Sequence, residues 1–327
     1  MRDFLFQAKS VLSAIQAADH ILVVTHQKPD GDAVGSAAAM VGYLEKLGKE
    51  SLVFCQHPPQ DMFHFLPHMN KFTTDASVVH SPRYDLMIVL DSSDLAYAGI
   101  EELLHSRKEP LPPLVNIDHH ASNVYFGEFH LIDPAAPSTT TVLYRLIAAE
   151  HRHLIDAPLA TSLLTGLLTD TGHFSNPATN EVALAVGAEL LMHGARFRQI
   201  TAATWQNREI GTLHLWGKAL ARLQYSPRYR LASTILTLED FRTARVEGDP
   251  TEGIANFLAN LKEADVILVL KEQEGGTVKG SLRTVHPDID VSRLALALGG
   301  GGHKKAAGFK IQGKLIRTPQ GWKIIIG

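Results

Sequence analysis

The 327-residue sequence has a formal net charge of −3, with 45% hydrophobic and 20% charged residues. A chain longer than about 200 residues favours two domains over one. The small negative charge argues against a broad basic surface for long duplex nucleic acid, because such binding depends on neutralising phosphates. No apolar run approaches the roughly 18 residues that a membrane span requires, so we expect no membrane segment.

Residues 1–20 predict a first helix. Polar residues interrupt the apolar ones at helical spacing, and no basic segment precedes a continuous apolar core as in a signal peptide. The single cysteine, Cys55, cannot form an internal disulfide and lies in an apolar stretch, where we expect it to fill the core. These features predict a protein of a reducing cytoplasm.

Short apolar runs that end in polar or acidic residues recur through the first half of the chain. They occupy residues 20–26, 51–55, 86–91 and 113–118. Strands buried on both faces have this composition. Residues 34–47 repeat apolar side chains at helical spacing and precede Gly48, a suitable C-cap. The pattern predicts an α/β domain with a mostly parallel sheet flanked by helices, whose functional groups gather beyond the carboxyl ends of the strands.

The pattern of apolar residues changes twice in the second half of the chain. Three amphipathic stretches predict helices between residues 138 and 194, and residues 197–223 predict either one long helix or two. We therefore expect a first domain over residues 1–195, a helical linker over 196–214 and a smaller α/β domain over 215–327. In this last domain we expect a hairpin around Gly275 and Gly276 and helices over residues 251–264 and 290–300.

Acidic residues and histidines fall at the ends of these predicted elements. They are His26, Asp30 and Asp32 after the first run, Asp91 after the third, Asp118, His119 and His120 after the fourth, and Asp170 on a later helix. Taken singly, each is compatible with a turn, a helix cap or a hydrogen-bonded strand end. Together they match a two-cation site, which needs several carboxylates, imidazole nitrogens and one shared carboxylate. Oxygen and imidazole ligands without thiolate favour Mn²⁺ or Mg²⁺.

These segments resemble a known family. HQKPDGDAVGS, LMIVLDSSD, NIDHHASN and LLTDTGHF are similar, in this order, to the signature of the DHH phosphoesterase superfamily, and GGGGHKKAAGF resembles the glycine-rich motif of its DHHA1 domain. The resemblance covers essentially the whole chain and implies a DHH catalytic domain followed by a DHHA1 substrate-binding domain. In its size and its pair of domains, the chain looks most like the bacterial oligoribonuclease (nanoRNase) and pAp-phosphatase group. Here pAp is adenosine 3′,5′-bisphosphate.

The resemblance implies roles for the candidate residues. One metal ion is expected on His26, Asp30 and Asp91, and a second on Asp32, Asp91, His119 and Asp170. Asp91 would bridge the two ions, which are expected to be Mn²⁺ with Mg²⁺ or Co²⁺ as substitutes. His120 would face the substrate phosphate, and Asp118 would orient its neighbours, as a metal-bound imidazole usually requires.

The resemblance also implies substrate contacts. Asn123 is expected near the phosphate, and Arg283 is expected to bind a terminal phosphate together with Gly300, Gly301, Gly302 and His303. Glycines let backbone amides approach an anion, and the planar guanidinium gives bidentate contacts. From the residues alone, an ordinary turn asparagine, a solvated strand arginine and a flexible glycine loop remain open alternatives.

Two positions depart from the family pattern. Thr141 stands where many relatives carry a glutamate in a Ser-Thr-Ala-Glu-like run, which puts the structural role of that glutamate in doubt here. His173 follows TDTG where relatives often have a bulky apolar residue, and we expect it on the rim of the cleft.

The sequence therefore predicts a Mn²⁺-dependent phosphohydrolase that degrades short single-stranded RNA to 5′-mononucleotides and dephosphorylates pAp. Hydrolysis of linear or cyclic dinucleotides is the rival within the enzyme class. Inorganic pyrophosphatase is disfavoured, because related pyrophosphatases end in a basic domain without the GGGGH element. A nucleotide-sensing protein without catalysis is the rival of another class, and the intact ligand set argues against it. A homodimer is an open alternative.

Overall fold

The computed structural model describes residues 2–107, 109–206, 209–244, 253–302, 304–318 and 321–325. The backbone divides into two compact units, Met1–Asn207 and Arg208–Gly327. The division lies inside the expected linker over residues 196–214, and the helices on either side of it are separate. Of the helices in the described ranges, none combines the length and the apolar character needed to cross a bilayer.

Six strands of the described first unit form one parallel sheet in the order β3-β2-β1-β4-β5-β6. The strands are β1 (His20–Thr25), β2 (Glu50–Phe54), β3 (Phe72–Thr73), β4 (Leu86–Leu90), β5 (Leu114–Asp118) and β6 (Phe129–Ile132). The four predicted apolar runs are β1, β2, β4 and β5. The expected fold class, a mostly parallel sheet with helices followed by a smaller α/β region, is confirmed.

Helices cover both faces of this sheet. They are α1 (Arg2–Ala17), α2 (Gly31–Lys46), α3 (Ser77–His80), α4 (Glu101–His105), α5 (Thr139–His151), α6 (Ala157–Asp170), α7 (Glu181–Met192) and α8 (Phe197–Thr204). Short 3₁₀ turns occur at Asp61–Phe63, Met69–Lys71 and Arg152–Leu154. In β1, Ile21 and Val23 pack toward α1, α2 and α5–α7, whereas Leu22 and Val24 pack with residues of α3 and α4. This alternation explains why apolar residues occupy successive positions in β1 and do not alternate with polar ones.

The second unit is built on a mixed sheet in the order β11-β12-β10-β9-β8-β7. Its elements are α9 (Ile210–Ala221), β7 (Gln224–Ser226), β8 (Leu231–Leu236), α10 (Leu238–Ala244), α11 (Ile254–Leu258), β9 (Val266–Gln273), β10 (Thr277–Arg283), α12 (Val291–Ala297), β11 (Gly301–Gly302), β12 (Ala306–Gln312), β13 (Lys314–Thr318) and β14 (Gly321–Ile325). The hairpin expected at Gly275 and Gly276 joins β9 to β10, and both glycines have positive φ. Strands β13 and β14 form a separate hairpin.

The helix expected over residues 251–264 is wrong in its extent. Residues 251 and 252 lie outside the described residues, and α11 ends at Leu258. The Asn260 side-chain amide donates to the carbonyls of Asn256 and Phe257 at 3.4 and 3.2 Å. Asparagine competes in this way for carbonyls that a continuing helix would use, so the chain leaves the helix there.

Candidate metal centre

The candidate ligands gather where the middle strands of the first sheet end. His26 follows β1, Asp91 follows β4, and Asp118 is the last residue of β5. The last residues of β1 and β4, Thr25 and Leu90, are register partners. The order of the strands reverses between β1 and β4, and in open α/β sheets such a switch point opens a crevice at the carboxyl ends. The fold therefore brings these side chains to one place.

Asp91 has an unusual backbone for a residue that is not glycine. Its φ is +58°, in the left-handed region, where aspartate is one of the few side chains that occur with any frequency. The side chain is 2% exposed. Its Oδ2 lies 3.6 Å from His26 Nε2 and its Oδ1 lies 3.8 Å from His119 Nε2. The two oxygens of one carboxylate thus face different histidines.

Asp30 begins α2 as its N-cap. Its Oδ1 accepts hydrogen bonds from the backbone amides of Asp32 and Ala33 at 3.0 and 3.1 Å, so the helix-cap explanation holds for this residue. The same oxygen lies 3.7 Å from His26 Nε2. Capping and a place beside His26 are therefore compatible.

Asp32 is held by the N-terminus of α5. Its Oδ2 accepts from the amide of Thr139 at 2.6 Å and its Oδ1 from the amide of Thr140 at 3.0 Å. The Thr139 hydroxyl donates to Asp91 Oδ1 at 2.8 Å. The first amides of a helix have no partner within it and favour an anion. Helix α5 therefore fixes two carboxylates of the centre at once.

The start of α5 also explains Thr141. Ser138 is the N-cap and accepts from the Thr141 amide at 3.1 Å, while the two hydroxyls lie 2.9 Å apart. Position 141 is the third residue of the helix, where a glutamate would complete a capping box. In place of such a glutamate, the buried Thr141 contacts the Ser138 hydroxyl with its own hydroxyl.

Glycines let α2 pack closely against α6. A Cβ on Gly35 would lie 2.7 Å from the Ser162 carbonyl oxygen, and a Cβ on Gly166 would lie 2.4 Å from Asp32 Oδ1. Neither helix could carry a larger side chain at these points without moving apart. The close approach places Asp32 of α2 and Asp170, the last residue of α6, around the same histidine: His119 Nε2 lies 4.0 Å from Asp32 Oδ2 and 3.2 Å from Asp170 Oδ2.

The three histidines are oriented through their Nδ1 atoms. His26 Nδ1 lies 2.8 Å from the Gln27 carbonyl oxygen, and His119 Nδ1 lies 3.2 Å from that of Ala136. A carbonyl accepts only from a protonated nitrogen, so Nε2 is the atom of both rings that is left to bind a metal ion. His120 Nδ1 donates instead to Asp118 Oδ1 at 2.6 Å.

Asp118 orients its surroundings. Besides His120, its Oδ1 accepts from the His119 amide at 2.8 Å, and its Oδ2 accepts from Asn123 Nδ2 at 2.7 Å. Asn123 is 7% exposed, and its Oδ1 accepts from the Tyr125 amide at 2.7 Å. The structure therefore gives Asn123 a supporting role for Asp118, and its expected contact with the substrate phosphate stays a prediction.

The electrostatics show an excess of negative charge. Burial and the Asp91 charge raise the pKa of Asp32 to about 7, and burial with the neighbouring aspartates raises the pKa of Asp170 well above its usual value. Burial opposes protonation of His26, but Asp30 and Asp91 outweigh it and raise its pKa to about 12. Such carboxylates repel one another and bind protons more tightly, which is the environment that divalent cations relieve.

The donor set fits metal ions. Three groups each bring their potential ligand atoms within 4.8 Å of one another: His26, Asp30 and Asp91; Asp32, His119 and Asp170; Asp91, His119 and His120. The first group is the expected ligand set of one metal ion. The second group contains the expected ligands of the other ion apart from Asp91, whose Oδ1 lies 3.8 Å from His119 Nε2. These residues can therefore hold two cations with Asp91 between them.

The expected substrate contacts of the second unit share one end of its sheet. Arg283 and Ala306 are register partners, and so are Gly302 and Ala307, so β12 lies between the arginine and the glycines. Arg283 Nε donates to Asn256 Oδ1 at 2.7 Å. Gly300 and Gly302 pack so closely on β12 that a Cβ would lie 2.1 and 2.6 Å from its backbone, so these glycines are not a loose loop. His303 lies outside the described residues.

Sequence reasoning missed two residues that lie at the candidate centre. Thr139 was visible only as part of a Ser-Thr-Thr-Thr run, a signal of a helix start. Tyr97 stacks on the His26 ring with centroids 4.8 Å apart, and no sequence signal distinguished it.

His173 packs against Trp205 with ring centroids 4.9 Å apart, and its Nε2 lies 3.1 Å from the Thr204 hydroxyl. Burial lowers its pKa.

Comparison with known proteins identifies the family of this chain. The model of the DHH family N-terminal domain matches residues 20–167, and the DHHA1 domain model matches residues 234–318. A bifunctional oligoribonuclease and PAP phosphatase NrnA from Thermus thermophilus is 32% identical over 93% of this chain and 87% of its own. The protein of the same name from Bacillus subtilis is 25% identical over 92% of each chain.

A solved structure supports the fold. An exopolyphosphatase-related protein from Bacteroides fragilis superposes with a TM-score of 0.87 at 24% identity, covering 95% of this chain and 92% of that one. The two family models together span well over half of the sequence. The chain therefore belongs to the DHH family of phosphoesterases, with an N-terminal DHH domain and a C-terminal DHHA1 domain.

Proposed function

We propose that this phosphoesterase degrades short single-stranded oligoribonucleotides to 5′-mononucleotides and removes the 3′-phosphate of pAp. The observation that carries the proposal is the Asp91 carboxylate, whose two oxygens face His26 and His119 at 3.6 and 3.8 Å. A shared carboxylate between two ligand sets suits hydrolysis by two cations. The names of the NrnA relatives supply the substrate class.

The proposed metal is Mn²⁺, with Mg²⁺ or Co²⁺ as substitutes. One ion would be held by His26, Asp30 and Asp91, and the other by Asp32, Asp91, His119 and Asp170. Divalent cations bound there would supply Lewis-acid polarisation of the phosphate and lower the pKa of a water molecule toward neutrality. No side chain is then needed as a nucleophile.

His120 is proposed to bind the scissile phosphate. Burial opposes its protonation, but the hydrogen bond to Asp118 and the nearby Asp91 charge raise its pKa. The ring is therefore cationic over a wider pH range and can donate to a phosphate oxygen as negative charge develops. Asp118 acts through His120 and His119, which it holds in place.

The second unit is proposed to bind the rest of the substrate. Arg283, with Gly300, Gly301, Gly302 and His303, would hold a terminal phosphate. Lys305 is committed elsewhere, because its ammonium donates to the carbonyls of His286, Pro287 and Ile289. The proposed metal ligands all precede residue 171, and the proposed substrate contacts of the second unit all follow residue 282. We therefore propose residues 1–195 as the catalytic domain, 196–214 as the linker and 215–327 as the substrate-binding domain.

Product analysis tests the proposal. The purified protein is incubated with Mn²⁺ and, separately, pAp, RNAs of increasing length starting from dinucleotides, cyclic dinucleotides and pyrophosphate. We expect AMP from pAp and 5′-mononucleotides from the shortest RNAs, no turnover after chelation, and no rescue of Asp91→Ala by added Mn²⁺. Tight nucleotide binding without products would instead indicate a sensing protein, and products from cyclic dinucleotides alone would indicate the rival phosphodiesterase.

A further inference from the structure

Tyr97 presents an open aromatic face beside the metal centre. Its ring stacks on His26 with an interplanar angle of 17° and centroids 4.8 Å apart, and it meets the His120 ring edge to face at 6.4 Å. The residue is nevertheless 43% exposed. Because the imidazole covers one face of the phenol ring, that face does not account for the exposed area.

The backbone around Tyr97 is fixed. The Tyr97 amide donates to Asp94 Oδ1 at 2.6 Å, and its carbonyl accepts from the Gln27 amide at 3.0 Å. The Gln27 side chain donates to the Ala96 carbonyl at 2.8 Å. An aromatic side chain with few rotatable bonds on such a backbone loses little conformational freedom when a ligand packs on it.

We propose that the outer face of Tyr97 is a nucleobase subsite, on which the base of the nucleotide at the metal centre stacks and continues the His26–Tyr97 stack. The inference rests on the proposed function and extends it to a specific contact. Every base has a π-face, so such a platform accepts different bases. The Tyr97 and His120 ring centroids lie 6.4 Å apart, so the proposed base subsite is adjacent to the proposed phosphate contact.

A matched pair of substrates isolates the base. The first is pAp, and the second is its abasic analogue, which keeps the sugar and both phosphates and lacks adenine. The measured quantity is the ratio of kcat/KM for pAp to that for the analogue. In Tyr97→Leu this ratio should fall by about 5- to 150-fold, the effect of one lost base–aromatic stack. Tyr97→Phe should restore the ratio, and Tyr229→Leu, an exposed tyrosine of the second unit, serves as control.

The readouts separate the subsite from a role in holding His26. Equal losses on both substrates, or a fall in bound Mn²⁺ that accounts for the loss, would overturn the proposal, as would an unchanged ratio. If wild-type protein hydrolyses neither compound, the proposed function fails, and calorimetric titration of both compounds tests the subsite by itself. Weaker binding of pAp alone by Tyr97→Leu supports the stack, whereas equal affinities for the two compounds in wild type refute it.

Discussion

Thr139 connects two buried carboxylates of the metal centre, and Thr139→Val removes one of its contacts selectively. Valine keeps the shape of threonine and the backbone amide that donates to Asp32. It lacks the hydroxyl that donates to Asp91 at 2.8 Å. Asp91 is 2% exposed, so water cannot replace this donor. A hydrogen bond to a charged group contributes about 1.5–3 kcal/mol, so we expect Mn²⁺ affinity to fall by about 10- to 100-fold, the usual effect of removing a group that orients a metal ligand.

The assay is calorimetric titration of Mn²⁺ into the chelator-treated protein, with activity on pAp measured in parallel. Thr139→Ser is the matched control, since it keeps the hydroxyl and loses only a methyl group. We expect the serine variant to bind Mn²⁺ almost as well as wild type. The reasoning is refuted if the valine variant binds Mn²⁺ with wild-type affinity, or if the serine and valine variants are equally impaired, because the loss would then reflect packing and not the hydrogen bond.

Three further outcomes are expected. His120→Ala should lower kcat on the order of 10² or more, as for a lost charge-stabilising donor, with metal content by elemental analysis still near wild type. Loss of an ion would show that the ligand roles of His119 and His120 are misassigned. Arg283→Ala should be severely impaired in kcat/KM on pAp but nearly normal on bis(p-nitrophenyl) phosphate, and equal losses on the two would mean that the arginine supports folding. Mn²⁺ affinity should rise from pH 6 to pH 8, and binding should release protons. The raised pKa values of His26 and Asp32 favour their protonated forms in the metal-free protein, and each side chain must lose its proton to bind an ion. Calorimetric titration in buffers of different ionisation enthalpy measures the proton release, and an affinity that does not change with pH would contradict the prediction.

The local pattern of the chain was enough to predict four strands of the first sheet and the acidic residues and histidines that gather at its carboxyl edge. Most positions of strands β1, β4 and β5 are apolar because both of their faces are buried, and a histidine or an aspartate comes where each of these strands ends. His26, Asp91 and Asp118 stand at those points. The edge strands β3 and β6 are short and carry no such continuous run, so they were not predicted.

The contacts that organise the centre were decided by tertiary structure alone. Asp32 and the amides of Thr139 and Thr140 are more than a hundred residues apart, and they meet because Gly35 and Gly166 let α2 and α6 pack closely beside α5. Asn123 donates to Asp118, a contact that the sequence did not indicate. Periodicity reports which face of an element is buried, whereas the partner of a buried polar group depends on how the elements pack, and that packing is a property of the whole chain.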